Sequence, residues 1–230
     1  MTLPPAKIRL AQGRLSRRPF IGVVDYGRGN LRSVAKALEH VGAKVKVGGS
    51  PAELKGASGI LVPGVGAFGD AMAALRKAGF VEWLKAQAAA GTPLLGVCLG
   101  LQLFCQDSDE FGMHRGLGFF KAPVRRFGVG LKVPHMGWNP VEHDPACPLF
   151  RGVDQGAPFY FLHSYRAKWK GQGLAAEAVY GRDRFAAALW RGNVFATQFH
   201  PEKSQQDGLR LYRNFWTLCR RPAGKGEGVL

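Results

Sequence analysis

From Pro93 to Gly100 the chain has little choice of local structure. Pro93-Leu94-Leu95 is an apolar run that reads as a short buried strand, and Leu99-Gly100-Leu101-Gln102-Leu103-Phe104 reads as the start of a helix. Between them lies one Cys, with a Gly two residues away on either side. Turning from strand to helix in so short a span forces backbones together, which only Gly permits cheaply. The side chain of Cys98 is then left exposed at the top of a sheet. This is the shape of a nucleophile elbow with Cys in place of Ser. The helix N-terminus beside it favours a thiolate. A buried structural thiol is the competing reading, since free Cys is among the most buried residue types.

Before the elbow, strands and helices alternate. Residues 20–25 read as a buried strand, 26–30 as a turn, and 31–40 as a helix with apolar residues at 31, 34, 35 and 38. Residues 43–47 and 59–62 read as further strands, 70–79 and 81–90 as helices, and 93–97 as the fourth strand. Such alternation implies a parallel, doubly wound α/β sheet with ligands beyond the carboxyl ends of its strands. Cys98 sits at one such end. After residue 110 the pattern becomes strands separated by turn signals, at 118–127, 131–133, 159–162, 174–180, 185–190 and 194–198. These predict an antiparallel layer added to the parallel sheet. The last helix is expected to start at Ser204 as N-cap and to bury Leu209, Tyr212, Phe215, Trp216 and Cys219.

The 230 residues include 32 Lys and Arg against 16 Asp and Glu, a net charge of +16 that raises the question of nucleic acid. Residues 1–19 hold Lys7, Arg9, Arg14, Arg17 and Arg18 with no acid, and most of the remaining surplus is spread along the chain. No basic stripe with interleaved aromatics accompanies it, so no specific nucleic-acid partner is expected. Residues 1–19 read as a disordered basic arm, 20–219 as the folded domain, and 220–230 as a flexible Gly-rich tail. No apolar run approaches about eighteen residues, so no membrane span is expected. Cys98, Cys105, Cys147 and Cys219 show no CxxC spacing, which points to a reducing, cytoplasmic setting with no bound metal or cofactor. Cys105 is expected inside the helix after Cys98, and Cys147 in a Pro-flanked loop, both structural.

A Cys nucleophile needs a base, and the base needs an orienting group. His40 ends a helix, while His114 and His143 fall in polar loops that suit solvated residues. His200 closes the apolar run 194–199, with Glu202 two residues later. In an extended chain such positions share one side, and strand ends of an open sheet converge at one edge, so His200 can reach Cys98. The loop Gly64-Val65-Gly66-Ala67-Phe68-Gly69 is formally G-x-G-x-x-G, but it follows the third strand rather than the first. A nucleotide site is therefore not expected there. The loop suits backbone N–H donors aimed at a reacting carbonyl.

Gly-Val-Cys-Leu-Gly-Leu-Gln (96–102) together with Phe-His-Pro-Glu-Lys-Ser (199–204) resembles the class I glutamine amidotransferases. Residues 25–34, 63–68, 134–139 (Pro-His-Met-Gly-Trp-Asn) and 160–165 (Tyr-Phe-Leu-His-Ser-Tyr) are similar to the branch that forms the glutaminase subunit of imidazole glycerol phosphate synthase. The resemblance spans about 20–219. It implies a flavodoxin-like, doubly wound, mostly parallel sheet with an added antiparallel layer. It also implies Cys98 as nucleophile, His200 as proton shuttle, Glu202 as its orienting group, and the backbone N–H groups of Val65 and Leu99 as an oxyanion hole. Gly66, Gln102, His163, Ser164 and Tyr165 would hold glutamine. The implied partner is a separate (β/α)₈-barrel cyclase, joined in a heterodimer, which uses the ammonia to make imidazole glycerol phosphate and aminoimidazole carboxamide ribotide in histidine biosynthesis. Pro134, Met136, Trp138, Asn139, Tyr160 and Lys203 are expected to face it. Leu101 stands where Met is common in the family, a volume-conserving exchange.

Overall fold

The computed structural model describes residues 18–169 and 173–220. Most of the basic arm 1–19 and of the tail 220–230 lies outside the described residues. The strands β1 (Ile21–Val24), β3 (Gly59–Val62), β4 (Leu94–Val97) and β13 (Val194–Thr197) are buried along their whole length. Strands apolar on both faces need cover on both faces, which a parallel sheet flanked by helices provides. With β2 (Val45–Gly48) at the edge, they pair in parallel in the order β2-β1-β3-β4-β13.

Helices α1 (Leu31–His40) and α5 (Gln205–Cys219) cover one face, where Val34, Leu38, Leu211, Tyr212 and Phe215 join Ile21, Val23, Leu61 and Leu95 in one core. Helices α2 (Phe68–Lys77), α3 (Phe80–Ala89) and α4 (Leu99–Phe104) cover the other, where Phe68, Leu75, Phe80, Leu84 and Phe104 join Val24, Ile60, Val62 and Leu94. The doubly wound arrangement follows the alternation in the sequence.

The antiparallel strands continue this same sheet sideways. β8 (His135–His143), β9 (Ala157–His163), β11 (Leu174–Tyr180) and β12 (Asp183–Arg191) complete a nine-stranded order that ends β13-β12-β11-β8-β9. A separate four-stranded sheet, β10-β7-β5-β6, is made by β5 (Asp107–Ser108), β6 (His114–Arg115), β7 (Pro123–Arg126) and β10 (Tyr165–Ala167).

Several local expectations change. The strand expected over 118–127 reduces to β7, because Gly118 turns at φ 74°. Residues 131–133 form a loop, and the strand beside them is β8, whose Gly137, Asn139 and Pro140 disguise it. Helix α4 stops at Phe104, so Cys105 is extended backbone (φ −75°, ψ 177°) just outside it, with its buried thiol donating to the Leu101 carbonyl at 3.3 Å. In α5 the buried stripe includes Gly208 and Leu211, while Leu209 is only half-buried.

Candidate active site

The elbow is as tight as its glycines suggest. Cys98 adopts φ 57° and ψ −108°, a backbone conformation uncommon for a residue with a side chain and held only where its surroundings impose it. A Cβ on Gly96 would lie 2.6 Å from the Gly100 carbonyl oxygen, and one on Gly100 would collide with the Val62 carbonyl. The Cys98 amide donates to the Thr197 carbonyl at 2.8 Å, which fixes the elbow to β13.

His200 does not end the strand, which stops at Thr197. It precedes a 3-10 turn, Pro201–Lys203, and this turn rather than an extended chain folds Glu202 back onto it. His200 Nδ1 lies 2.8 Å from Glu202 Oε1, and the other carboxylate oxygen accepts the Tyr212 hydroxyl at 3.2 Å. With Nδ1 engaged, Nε2 is the nitrogen left for Cys98, whose sulfur lies 3.8 Å from the Leu162 carbonyl oxygen and 3.9 Å from Gln198 Nε2. Burial pulls the His200 pKa down, but attraction and hydrogen bonding to Cys98, then to Glu202, outweigh it and raise the value to about 10. The His200 backbone is clamped as well: its amide donates to the Tyr160 carbonyl at 2.9 Å, and the Ser204 hydroxyl donates to its carbonyl at 2.7 Å. The same hydroxyl accepts the Tyr160 amide at 3.0 Å. Ser204 thus stands at the N-cap position of α5 without capping it, its oxygen being used on the histidine segment.

A cavity of about 280 Å³ opens over Cys98 and His200 at the carboxyl ends of β1, β3, β4 and β13. It is walled by Val65 and Gly66 after β3, by Leu99 and Gln102 of α4, by His163 at the end of β9, and by Ser164 and Tyr165 where β10 begins. The β3 loop is held from beneath by the Tyr26 hydroxyl, which donates to the Pro63 carbonyl at 2.8 Å. An Arg28–Asp70 ion pair of 3.2 Å lies beside Gly66, whose φ of 99° suits only glycine. Gln102 is buried rather than solvent-facing. Its Nε2 donates to the Tyr165 carbonyl at 3.0 Å and to Gln198 Oε1 at 3.1 Å, and Gln198 Nε2 lies 3.9 Å from Cys98 Sγ. Both ring nitrogens of His163 are engaged, Nδ1 with the Tyr165 carbonyl at 2.8 Å and Nε2 with His135 at 3.0 Å. His163 therefore meets a ligand with its ring and backbone and not through a free ring nitrogen.

Two further residues line the cavity, Asn30 from within the 25–34 motif and Glu110 with no sequence signal of its own. Asn30 enters from the turn after β1, and Glu110 from the segment after β5. Glu110 also accepts the Phe68 amide at 2.7 Å, so the N-terminus of α2 is occupied by the protein's own carboxylate. The Glu110 carboxylate thus takes the place at this helix end that a phosphate would need.

Strands β8 and β9 pair so that His135 faces His163 and Trp138 faces Tyr160. Side chains alternate across a strand, and the two faces differ. Met136 and Trp138 point outward, 61% and 48% exposed, with the Trp138 and Tyr160 rings 6.1 Å apart and Lys203 Nζ 5.5 Å from the Tyr160 ring centre. Pro134 and Lys203 carry this patch to the cavity mouth. Asn139, expected on the same outer face, is corrected by the pleat: it is 8% exposed and donates inward to the Val179 carbonyl at 2.8 Å.

A cysteine, an imidazole and a buried carboxylate, beneath a cavity rich in backbone, are the parts needed for acyl transfer through a covalent thioester. Among the described residues no cluster of three or more His, Cys, Asp or Glu could hold a metal ion, and no helix is long and apolar enough to cross a membrane. The family model for class-I glutamine amidotransferase matches residues 22–218. The chain belongs to this family. Over 204 residues it is 49% identical to an imidazole glycerol phosphate synthase subunit HisH of Syntrophotalea carbinolica, covering 85% of this chain and 98% of that protein. It is 50% identical over 197 residues to the HisH subunit of Desulfitobacterium hafniense, covering 85% and 93%. Among solved structures, a glutamine amidotransferase superposes with a TM-score of 0.69 at 23% identity, covering 86% of this chain and 98% of that one. A chain of the PurLQS structure from Thermotoga maritima gives 0.70 at 19% identity, again over 86% and 98%. At those identities the two structures speak for the shared fold.

Proposed function

We propose that this amidotransferase is the glutaminase subunit of an imidazole glycerol phosphate synthase in histidine biosynthesis. The observation that carries the reading is His200, held between Cys98 and the buried Glu202 at the floor of the cavity. Cys98 Sγ attacks the side-chain carboxamide carbon of glutamine as its proton passes to His200 Nε2. As the tetrahedral intermediate collapses, the C–N bond breaks, His200 Nε2 gives its proton to the leaving nitrogen, and ammonia departs from a glutamyl thioester. Water then attacks the thioester carbon with His200 as base, releasing glutamate and restoring the sulfur. Backbone N–H groups of Val65 and Leu99 serve the oxyanion, each such donor typically worth about 10²–10³ in rate. The Glu110 carboxylate at the cavity wall offers a counter-charge to the α-ammonium of the substrate.

Ammonia set free in water is protonated and lost, so we infer that the chain works docked on a barrel cyclase. The patch of Met136, Trp138, Tyr160 and Lys203 has the aromatic, Met-containing character of interface anchors. We read residues 20–219 as the amidotransferase domain and place the protein in the cytoplasm, a reading supported by four unpaired thiols. The test is glutamate release from glutamine by the purified chain, alone and with the cyclase and its nucleotide precursor. Strong stimulation in the combined assay is expected, with complete loss in Cys98→Ala. Appreciable activity that the cyclase leaves unmoved would assign the glutaminase to another synthase, and unchanged turnover in Cys98→Ala would refute the mechanism.

A further inference from the structure

His135 and His163 form a buried pair that the thioester chemistry does not use. They are cross-strand partners on the inward face of β8 and β9, with Nδ1 of His135 and Nε2 of His163 3.0 Å apart. The hydrogen bonds at either end fix where the protons lie. His163 Nδ1 faces the Tyr165 carbonyl at 2.8 Å, and a carbonyl only accepts, so this nitrogen carries the proton. In a neutral ring Nε2 of His163 is then an acceptor, and His135 must donate to it from Nδ1. That leaves Nε2 of His135 to accept from Asn139 Nδ2 at 3.2 Å, whose second hydrogen goes to Val179. Every donor finds an acceptor, and only this assignment of tautomers satisfies the whole line.

The surroundings keep the pair uncharged. The His135 ring is stacked between Phe161 and Tyr180, at 5.1 and 4.2 Å, and Phe127 and Phe185 close around both histidines. Burial lowers the pKa of His135 to about 4 and of His163 to about 3, the latter opposed further by the positive charges of His200 and Arg166. The line does not end at Tyr165. Its carbonyl also accepts Gln102, which holds Gln198, whose amide lies beside the Cys98 sulfur.

We propose that His135 is a positioning residue for the glutamine pocket, acting through His163 to fix the backbone of Ser164 and Tyr165 that walls it. The inference rests on the glutaminase reading for the identity of the ligand, and on geometry alone for the locked pair. Two replacements separate hydrogen bonding from packing. His135→Phe keeps a flat ring between Phe161 and Tyr180 but cannot donate to His163. His135→Asn places an N–H near the Nδ1 position but leaves a void. Loss of the bond strands a buried acceptor and should raise KM for glutamine about tenfold, with kcat changed less. His135→Asn should recover much of that KM although it unfolds at lower temperature than His135→Phe. A KM in His135→Phe within about twofold of the wild type, or KM values that follow thermal stability, would overturn the proposal. Long-range ¹H–¹⁵N spectra of the histidine-labelled wild type supply a readout independent of turnover. Both rings should be neutral and protonated on Nδ1 at pH 7, and an imidazolium or an Nε2–H form of either would overturn the lock. A wild type with the expected spectra that releases no glutamate, alone or with the cyclase, would refute the glutaminase reading and keep the lock.

Discussion

Replacing Glu202 by Gln removes a buried negative charge and little else. The Glu202 side chain is 2% exposed, and each oxygen has one partner, His200 Nδ1 at 2.8 Å and the Tyr212 hydroxyl at 3.2 Å. A Gln can accept from His200 through Oε1 and donate from Nε2 to the Tyr212 oxygen, so packing and pairing survive. What is lost is the charge-assisted part of the bond to an imidazolium, about 1–2 kcal/mol. If that is felt in the transition state, kcat falls about five- to thirtyfold.

The pH dependence gives a second, independent reading of the same change. Burial works to lower the His200 pKa, and the opposing influences come first from Cys98 and then from Glu202, leaving it at about 10. Without Glu202 the proton leaves at lower pH, so the alkaline limb of the pH–rate profile, which belongs to the Cys98–His200 pair, moves down. Stability shifts with the same sign. A histidine whose folded pKa lies above its unfolded value contributes fully below about pH 6.5 and loses that contribution as pH rises through about 10. The part of the stability gap that His200 makes between wild type and Glu202→Gln is therefore widest below about pH 6.5 and closes by about pH 10. Glutamate release and thermal midpoints measured across that window check both statements. A variant with a rate within about twofold of wild type and an unmoved alkaline limb would show that Glu202 does not act through His200.

Gly100→Ala would drive its Cβ into the backbone carbonyl of Val62, which cannot rotate away; a loss of about 3 kcal/mol or more in urea unfolding is expected, and an unchanged midpoint would contradict the close approach. Ser204→Ala removes the hydroxyl shared by the Tyr160 amide and the His200 carbonyl. It should cost about 1–3 kcal/mol in the same assay and lower kcat, and no loss in either would mean the clamp does not matter. Trp138→Ala, at a half-exposed site, should leave the thermal midpoint near wild type while weakening cyclase binding about tenfold to a hundredfold by calorimetry; unaltered affinity would take Trp138 out of the interface.

The parts of this structure legible in the sequence are those set by local pattern. Strands such as 21–24 and 59–62 are apolar on both faces and bounded by turns, so their place at the centre of a parallel sheet can be read directly. Gly96 and Gly100 around Cys98 announce the elbow for the same reason the structure needs them, the close approach of backbones. The misplaced elements depend on distant partners. β5 and β6 are two residues long and exist only through pairing with each other and with β7. Glu110 carries no motif, and only the tertiary fold brings it to the start of α2 and into the cavity. Asn139 was legible and missed: with Met136 and Trp138 outward, strict alternation turns His135 and Asn139 inward.

The relation between Glu202 and His200 shows why spacing alone reached the right pair by the wrong geometry. An extended 200–202 segment would put both side chains on one side but hold them a full two-residue step apart. The 3-10 turn begun by Pro201 shortens that step and brings Nδ1 and Oε1 to 2.8 Å. The turn in turn hangs from β9, whose Tyr160 gives its carbonyl to the His200 amide and its amide to Ser204, while Phe159 stacks on Phe199 at 4.2 Å. On the opposite face of that strand pair, Trp138 stands exposed against a half-buried Tyr160, and one residue past Leu162 the strand delivers His163 to the cavity. The outer patch, the base and the pocket wall therefore share one backbone. A displacement of β9 at Tyr160 would be carried to the His200 backbone by the 2.9 Å bond between the His200 amide and the Tyr160 carbonyl.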